Sequence, residues 1–258
     1  MRISFIGAGR VATHLAQALS QQHKIVQVVS RNLAHACSLA NAVNAEAIND
    51  FQKLNMQIDV LMIAVSDQSI SSVIESISTI LPDVLIVHTS GSTHLQALTQ
   101  HHAKSGVFYP LQTFSFERKV DWSNTPLFIE AADTDDLQVL NALAADLSQR
   151  VYPYDSEQRL SLHLAAVFAC NFTNYCYDMA KQVVDEKHVD FSLLYPLILE
   201  TANKATQNDP RLMQTGPAMR GDQNILNMHE QMLIATDRTD LKDVYALMSQ
   251  QILKRQND

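Results

Sequence analysis

Three features of this 258-residue sequence predict an α/β fold in which an N-terminal, doubly wound parallel sheet is followed by an all-helical C-terminal domain. Short apolar runs alternate with helix-period stretches over the first half. The alternation stops near Asp155, beyond which only helical patterns recur. At the start, Ile3-Ser4-Phe5-Ile6-Gly7-Ala8-Gly9-Arg10-Val11-Ala12 runs from a strand through G-x-G-x-x-A into a helix.

That opening stretch organises the rest. Ile3 to Ile6 has the apolar character of a strand buried on both faces. Gly7 permits the tight turn, Gly9 lets the backbone approach a pyrophosphate, and Ala12 allows helix and sheet to pack closely. Leu15, Ala18 and Leu19 continue at helical spacing. The start of this helix offers free N–H groups and a positive dipole end to phosphates. Gly7, Ala8, Gly9, Arg10 and Val11 are therefore expected to hold a dinucleotide.

Further strands are expected at 24–30, 59–65, 84–89, 106–109, 126–131 and 150–154, with helices at 11–20, 32–43, 68–80 and 93–103. Thr93 and Gln96 suggest a capping box on the last of these. Beyond Asp155 helices are expected at 156–187, 190–207, 218–236 and 240–256, the first capped by Asp155 or Ser156, with Pro210 and Pro217 bracketing the one extended break. The expected domains are 1–154 and 155–258.

The second strand ends Ser30-Arg31-Asn32, where an NAD site usually places an acid for the ribose hydroxyls. No acid occurs between Met1 and Glu46, and Ser30 with Arg31 suits a 2′-phosphate, so NADP is the expected cofactor. Ligands of open α/β sheets lie outside the carboxyl ends of strands, which adds Ala64, Val65, Ser66, Thr89, Ser90 and Gly91 to the expected cofactor site. His88 is read as a satisfied strand histidine, and Phe108 to Phe114 as a segment that could roof the nicotinamide.

On the helix from 156, ~100° per residue puts His163, Val167, Asn171 and Asn174 within about an 80° arc. Such a stripe either fixes helix packing as a buried network or lines a wet cleft. The chain has six glycines, and two of them bound Gly216-Pro217-Ala218-Met219-Arg220-Gly221, a segment fit to present Arg220 to an anionic group.

Nineteen basic against 27 acidic residues give a formal charge of −8, which argues against nucleic-acid and anionic-membrane partners. No apolar run reaches the ~20 residues of a membrane span, and the N-terminus enters a strand at once, leaving no signal peptide. Cys37, Cys170 and Cys176 are odd in number and lack paired spacing, so neither disulfides nor a metal are expected, and a cytoplasmic location is. The apolar helical half suggests a homodimer through that domain, with Leu193, Leu194, Ile198 and Leu199 at its surface.

With these residues in hand, the chain resembles a bacterial family of Rossmann-like, NADP oxidoreductase-like proteins that carry the domain of unknown function 2520. The resemblance rests on Gly7 to Ala12, Ser30 to Asn32, Ala64 to Asp67, His88 to Ser92, Tyr109 to Phe114, His163 to Asn171 and Thr215 to Asp222. More remotely it is similar to pyrroline-5-carboxylate reductase and the β-hydroxyacid dehydrogenases, whose helical domain dimerises and closes over the nicotinamide. Two departures stand out. Relatives often have His where this chain has Tyr109, and the catalytic lysine of the β-hydroxyacid dehydrogenases has no counterpart on the helix at 156–180. The resemblance implies hydride transfer to or from a small carbonyl or imine in a cleft between the domains. His163 is then expected as general acid/base, Asn171 to orient substrate and Arg220 to hold an anionic group. A non-catalytic NADP-binding sensor or scaffold is the alternative, since fold alone does not fix activity.

Overall fold

Runs of apolar residues without polar alternation form the centre of the sheet, where both faces are covered. In the computed structural model, which describes residues 1–257, these are β1 (Arg2–Ile6), β2 (Lys24–Val29), β4 (Val60–Ile63) and β5 (Leu85–His88). With β3 (Glu46–Ile48), β6 (Ser105–Pro110), β7 (Leu127–Ala131) and β8 (Val151–Pro153) they make one eight-stranded sheet, ordered β3-β2-β1-β4-β5-β6-β7-β8. Every pairing is parallel except β6 with β7. The strand order reverses between β1 and β4, the place where such sheets bind ligands.

Helices α1 (Arg10–Leu19), α2 (Leu33–Ala42), α3 (Asp67–Ile77), α4 (Gln96–Thr99), α5 (Thr134–Ala145) and α6 (Ser156–Ala166) complete this part of the chain. One apolar cluster, around Phe5, Leu15, Val28 and Phe108, fills one side of the sheet. The other side is filled by Ile6, Ile63, Ile70, Ile74 and Ile86.

The expected strands and most expected helices are present, with physical reasons for the exceptions. β3 is only three residues long, and α5 lies in 132–149, where no helix was expected. The helix expected over 93–103 shrinks to Gln96–Thr99, whose first turn receives no side-chain cap. Thr93 instead lies in an ordered loop, its N–H donating to Ser90 Oγ at 2.9 Å.

The remaining helices are α7 (Thr173–Asp185), α8 (Tyr195–Gln207), α9 (Pro217–Arg220), α10 (Gln223–Ala235) and α11 (Thr239–Asn257). Packing divides the chain into units 1–171 and 172–258, so α6 belongs with the sheet although strands end at Pro153. Between α6 and α7, Val167–Phe172 is π-helical. This corrects the expected polar stripe. A π turn closes i→i+5 bonds, and its extra residue rotates everything beyond it out of α-helical phase. Asn171 and Asn174 are both exposed.

Candidate active site

The glycine loop is built as its sequence demands. Gly7 has φ +112°, and a Cβ there would stand 2.1 Å from the Ala64 carbonyl oxygen. Only glycine fits such a turn against the neighbouring strand. Gly9 is different. A Cβ on Gly9 would meet no protein atom within 4 Å, so nothing in the protein's own packing requires glycine there. The space it leaves opens onto a cavity.

α1 begins at Arg10 with no side-chain cap and no acid in its first turn. Its leading N–H groups therefore remain open to an anion. This loop lies on a cavity of about 790 Å³ at the carboxyl ends of the strands. Gly7, Ala8, Gly9, Arg10 and Val11 line it, with Ser30 and Arg31 after β2, Ala64, Val65 and Ser66 after β4, and Thr89, Ser90 and Gly91 after β5. Asn32 is not among the lining residues; its side chain accepts from Ala34 N and caps α2. The Arg31 side chain has no ion-pair or hydrogen-bond partner among the described residues. An unpaired guanidinium at the rim of an open cavity suits a phosphate.

His163, from α6, lines the same cavity. Its Nδ1 is 3.2 Å from the Tyr109 hydroxyl, and the two rings meet edge to face. Both press on the backbone of Gly91, where a Cβ would stand 2.5 Å from His163 Nδ1 and 2.6 Å from Tyr109 Cζ. Glycine at 91 is thus what lets the pair reach the strand-end loop. Burial raises the Tyr109 phenol to about 12, partly opposed by the positive charge of Arg159.

Beneath them lies a buried ion pair that sequence reading missed. Arg159 is 0% exposed. Its Nη2 donates to Glu130 Oε2 and to Ser156 Oγ, each at 3.0 Å, and its Nη1 to the Thr93 carbonyl at 2.9 Å. Ser156 Oγ also donates to Glu130 and accepts from Leu95 N at 3.0 Å. Burial pulls the Arg159 pKa down and Glu130 opposes it; an arginine stays charged through this. The network fastens the 91–95 loop to α6 and β7. Its only trace in the sequence is an arginine one turn after the helix-capping Asp155, which forms a capping box with Gln158.

His88 meets the expectation of a satisfied strand histidine at one atom only. Nδ1 accepts from Ser90 N at 3.2 Å, while Nε2 is buried without a partner. Burial lowers its pKa to about 3, so the ring is neutral. The segment after β6 crosses the start of α1: His14 Nε2 lies 2.8 Å from the Ser115 carbonyl oxygen, and the Arg10 guanidinium sits 5.9 Å from the centre of the Phe116 ring. Asn171 and Arg220 are exposed, belong to different units, and are not among the residues lining the cavity.

A sheet with this strand order, a glycine loop open to the cavity, an uncapped helix start and an unpaired arginine after β2 define a Rossmann-type dinucleotide-binding protein. Comparison with known proteins takes the assignment to a family. Residues 2–91 match the family described as NADP oxidoreductase, coenzyme F420-dependent, and residues 125–252 match the domain of unknown function 2520. A Bacteroides fragilis protein provisionally named an NADP oxidoreductase is 42% identical over 98% of each chain, with a TM-score of 0.92. The chain belongs to this family of NADP oxidoreductase-like proteins. A Thermotoga maritima protein shares the fold at 22% identity and TM-score 0.70, covering 99% of this chain and 100% of its own. So does an imine reductase from Myxococcus stipitatus solved with NADP+, at 15% identity and TM-score 0.70, covering 98% and 94%. Comparison with curated proteins finds no match.

Proposed function

We propose that this protein is an oxidoreductase that binds NADP(H) along the strand ends and moves hydride to or from a small carbonyl or imine, with His163 handling the proton. One observation carries the reading: the acid/base candidate His163 lines the same cavity as the glycine loop and Arg31. NADP(H), when bound, supplies the hydride chemistry. Gly9 leaves room for the pyrophosphate, the α1 N-terminus receives its charge, and Ser30 with Arg31 receives the 2′-phosphate. Asn171 is assigned to orient substrate and Arg220 to hold an anionic group. Neither side chain has a hydrogen-bond or ion-pair partner among the described residues.

Fluorescence titration and NADPH oxidation against small cyclic imines and 2-oxo acids test this. NADPH should bind, and at least one probe should be reduced. Tight binding with no turnover of any probe would return the sensor reading. Arg31→Ala should weaken NADPH by about 2 kcal/mol, roughly 30-fold, and leave NADH nearly unchanged, since a charge-assisted contact is lost to one cofactor only. Equal affinities of the parent protein for both cofactors would refute the role of Arg31.

We also infer a homodimer through the helical half. Leu193 is 71%, Leu197 62% and Leu199 64% exposed, with Leu194 and Ile198 half-buried among them. Soluble monomers rarely leave so many large apolar side chains of one short segment in water. A second copy is the natural cover, because self-association of one patch about a two-fold axis closes the assembly. Sedimentation at micromolar concentration should give twice the chain mass, and Leu193→Glu with Leu197→Glu should give the single-chain mass. A monomeric parent protein would overturn the inference.

A further inference from the structure

We propose that the Tyr109 hydroxyl donates its hydrogen bond to His163 Nδ1, holding the neutral imidazole with its proton on Nε2 and passing its own proton to Nδ1 as that one leaves. Tyr109 is thus a positioning residue that acts through His163; it is not itself among the cavity-lining residues. The consequence for catalysis rests on the oxidoreductase reading above, but the arrangement of the pair can be tested without it.

The direction of the hydrogen bond follows from what each atom can otherwise do. Tyr109 Oη and His163 Nδ1 are 3.2 Å apart, and the hydroxyl has no other hydrogen-bond partner among the described residues. Were Nδ1 the protonated nitrogen, the phenol would have to accept, and its own half-buried proton would lack a protein acceptor. A phenol that donates satisfies both groups at once. Gly91 makes the contact possible, because any side chain there would drive Tyr109 and His163 apart. Arg159 fixes the loop from below through the Thr93 carbonyl.

The proton balance closes. Once the substrate carbon has accepted hydride from NADPH, the former π pair resides on oxygen or nitrogen. That pair forms a bond to the Nε2 proton as the Nε2–H bond breaks. Nδ1 takes the Tyr109 proton, so the ring ends neutral; solvent then reprotonates Nε2 from the cavity as Nδ1 returns its proton to the phenolate, which restores the starting tautomer. No imidazolium is required. The charged groups around the pair are Arg159 on α6, which favours a transient phenolate, its partner Glu130 on β7, and Asp67 after β4, which opposes one. His88 on β5 is neutral. Because burial raises the phenol to about 12, the proton is still in place at alkaline pH. Reduction is therefore expected to persist well above the pH 5–8 range in which an ordinary imidazolium is lost.

Long-range proton–nitrogen NMR of the 15N-labelled full chain at pH 8, without cofactor, decides the tautomer. The His163 signals should show a protonated Nε2 and a bare Nδ1, and Tyr109→Phe, which keeps the ring and its packing, should give a mixture of tautomers. A protonated Nδ1 in the parent protein, or an identical spectrum in Tyr109→Phe, would overturn the proposal. Kinetics with 1-pyrroline, or whichever probe is reduced, give the second readout. Tyr109→Phe should lower kcat about 100-fold at pH 8 with NADPH affinity unchanged, and the alkaline limit of its pH profile should fall into the imidazole range. An unchanged profile would count against the proton path. Failure of the parent protein to bind NADPH would instead remove the oxidoreductase reading, while the tautomer spectrum would still decide the pair.

Discussion

Gly9→Val is expected to abolish measurable binding of NADPH and NADH while the protein stays folded. Gly9 has φ −82° and ψ −172°, an extended conformation open to any residue. A Cβ at this position meets no protein atom within 4 Å. The fold thus loses little beyond helix capping, at most about 1 kcal/mol. The ligand loses much more. Valine fills the approach to the uncapped N-terminus of α1, where the pyrophosphate would accept charge-assisted bonds from backbone N–H groups. Two such bonds lost together amount to about 3–6 kcal/mol, a fall in affinity of 100-fold or more. Calorimetric titration beside a thermal melt separates the two quantities. Parent-like NADPH affinity in a folded Gly9→Val protein would remove the pyrophosphate from this loop. Gly7 is not an equivalent probe, because its positive φ and its closeness to Ala64 make any substitution there a folding defect first.

The contrast between these glycines shows what a sequence can and cannot disclose. G-x-G-x-x-A between a strand and a helix, and the absence of an acid before Glu46, were legible because they depend on local geometry and on counting. The strands were legible because buried parallel strands are apolar without interruption. His163 was legible as a polar residue on a mostly apolar helix, but its partner was not. Tyr109 lies 54 positions away, and nothing in either segment names the other. The π-helical turn at Val167–Phe172 was hidden for a different reason: the extrapolated stripe assumed uniform α-helical phase, and one additional residue in a turn leaves no mark in composition. Arg159 shows the same limit most strongly. Arginines are mostly solvated, and only the assembled sheet reveals one with no exposure whose partners come from three separate segments.

That buried arginine leads to the second large effect: Glu130→Gln should destabilise the protein by about 3–5 kcal/mol, because it removes the negative partner of a guanidinium that water cannot reach. Glutamine preserves shape and can still accept a hydrogen bond, so the loss isolates the charge. For a chain of this size the melting temperature should fall by roughly 10 °C. Removing both charges tests the electrostatic origin. Buried ion pairs gain little over well-packed apolar groups, since desolvation offsets most of their attraction. Glu130→Gln combined with Arg159→Met should therefore recover much of the stability that Glu130→Gln loses. It should nonetheless bind cofactor more weakly than the parent protein, because Arg159→Met takes the donor from the Thr93 carbonyl and loosens the loop that carries Thr89, Ser90 and Gly91 into the cavity. A double variant as unstable as the sum of the two single ones would show that Glu130 and Arg159 act independently, and that shape and packing, not charge pairing, hold this loop in place.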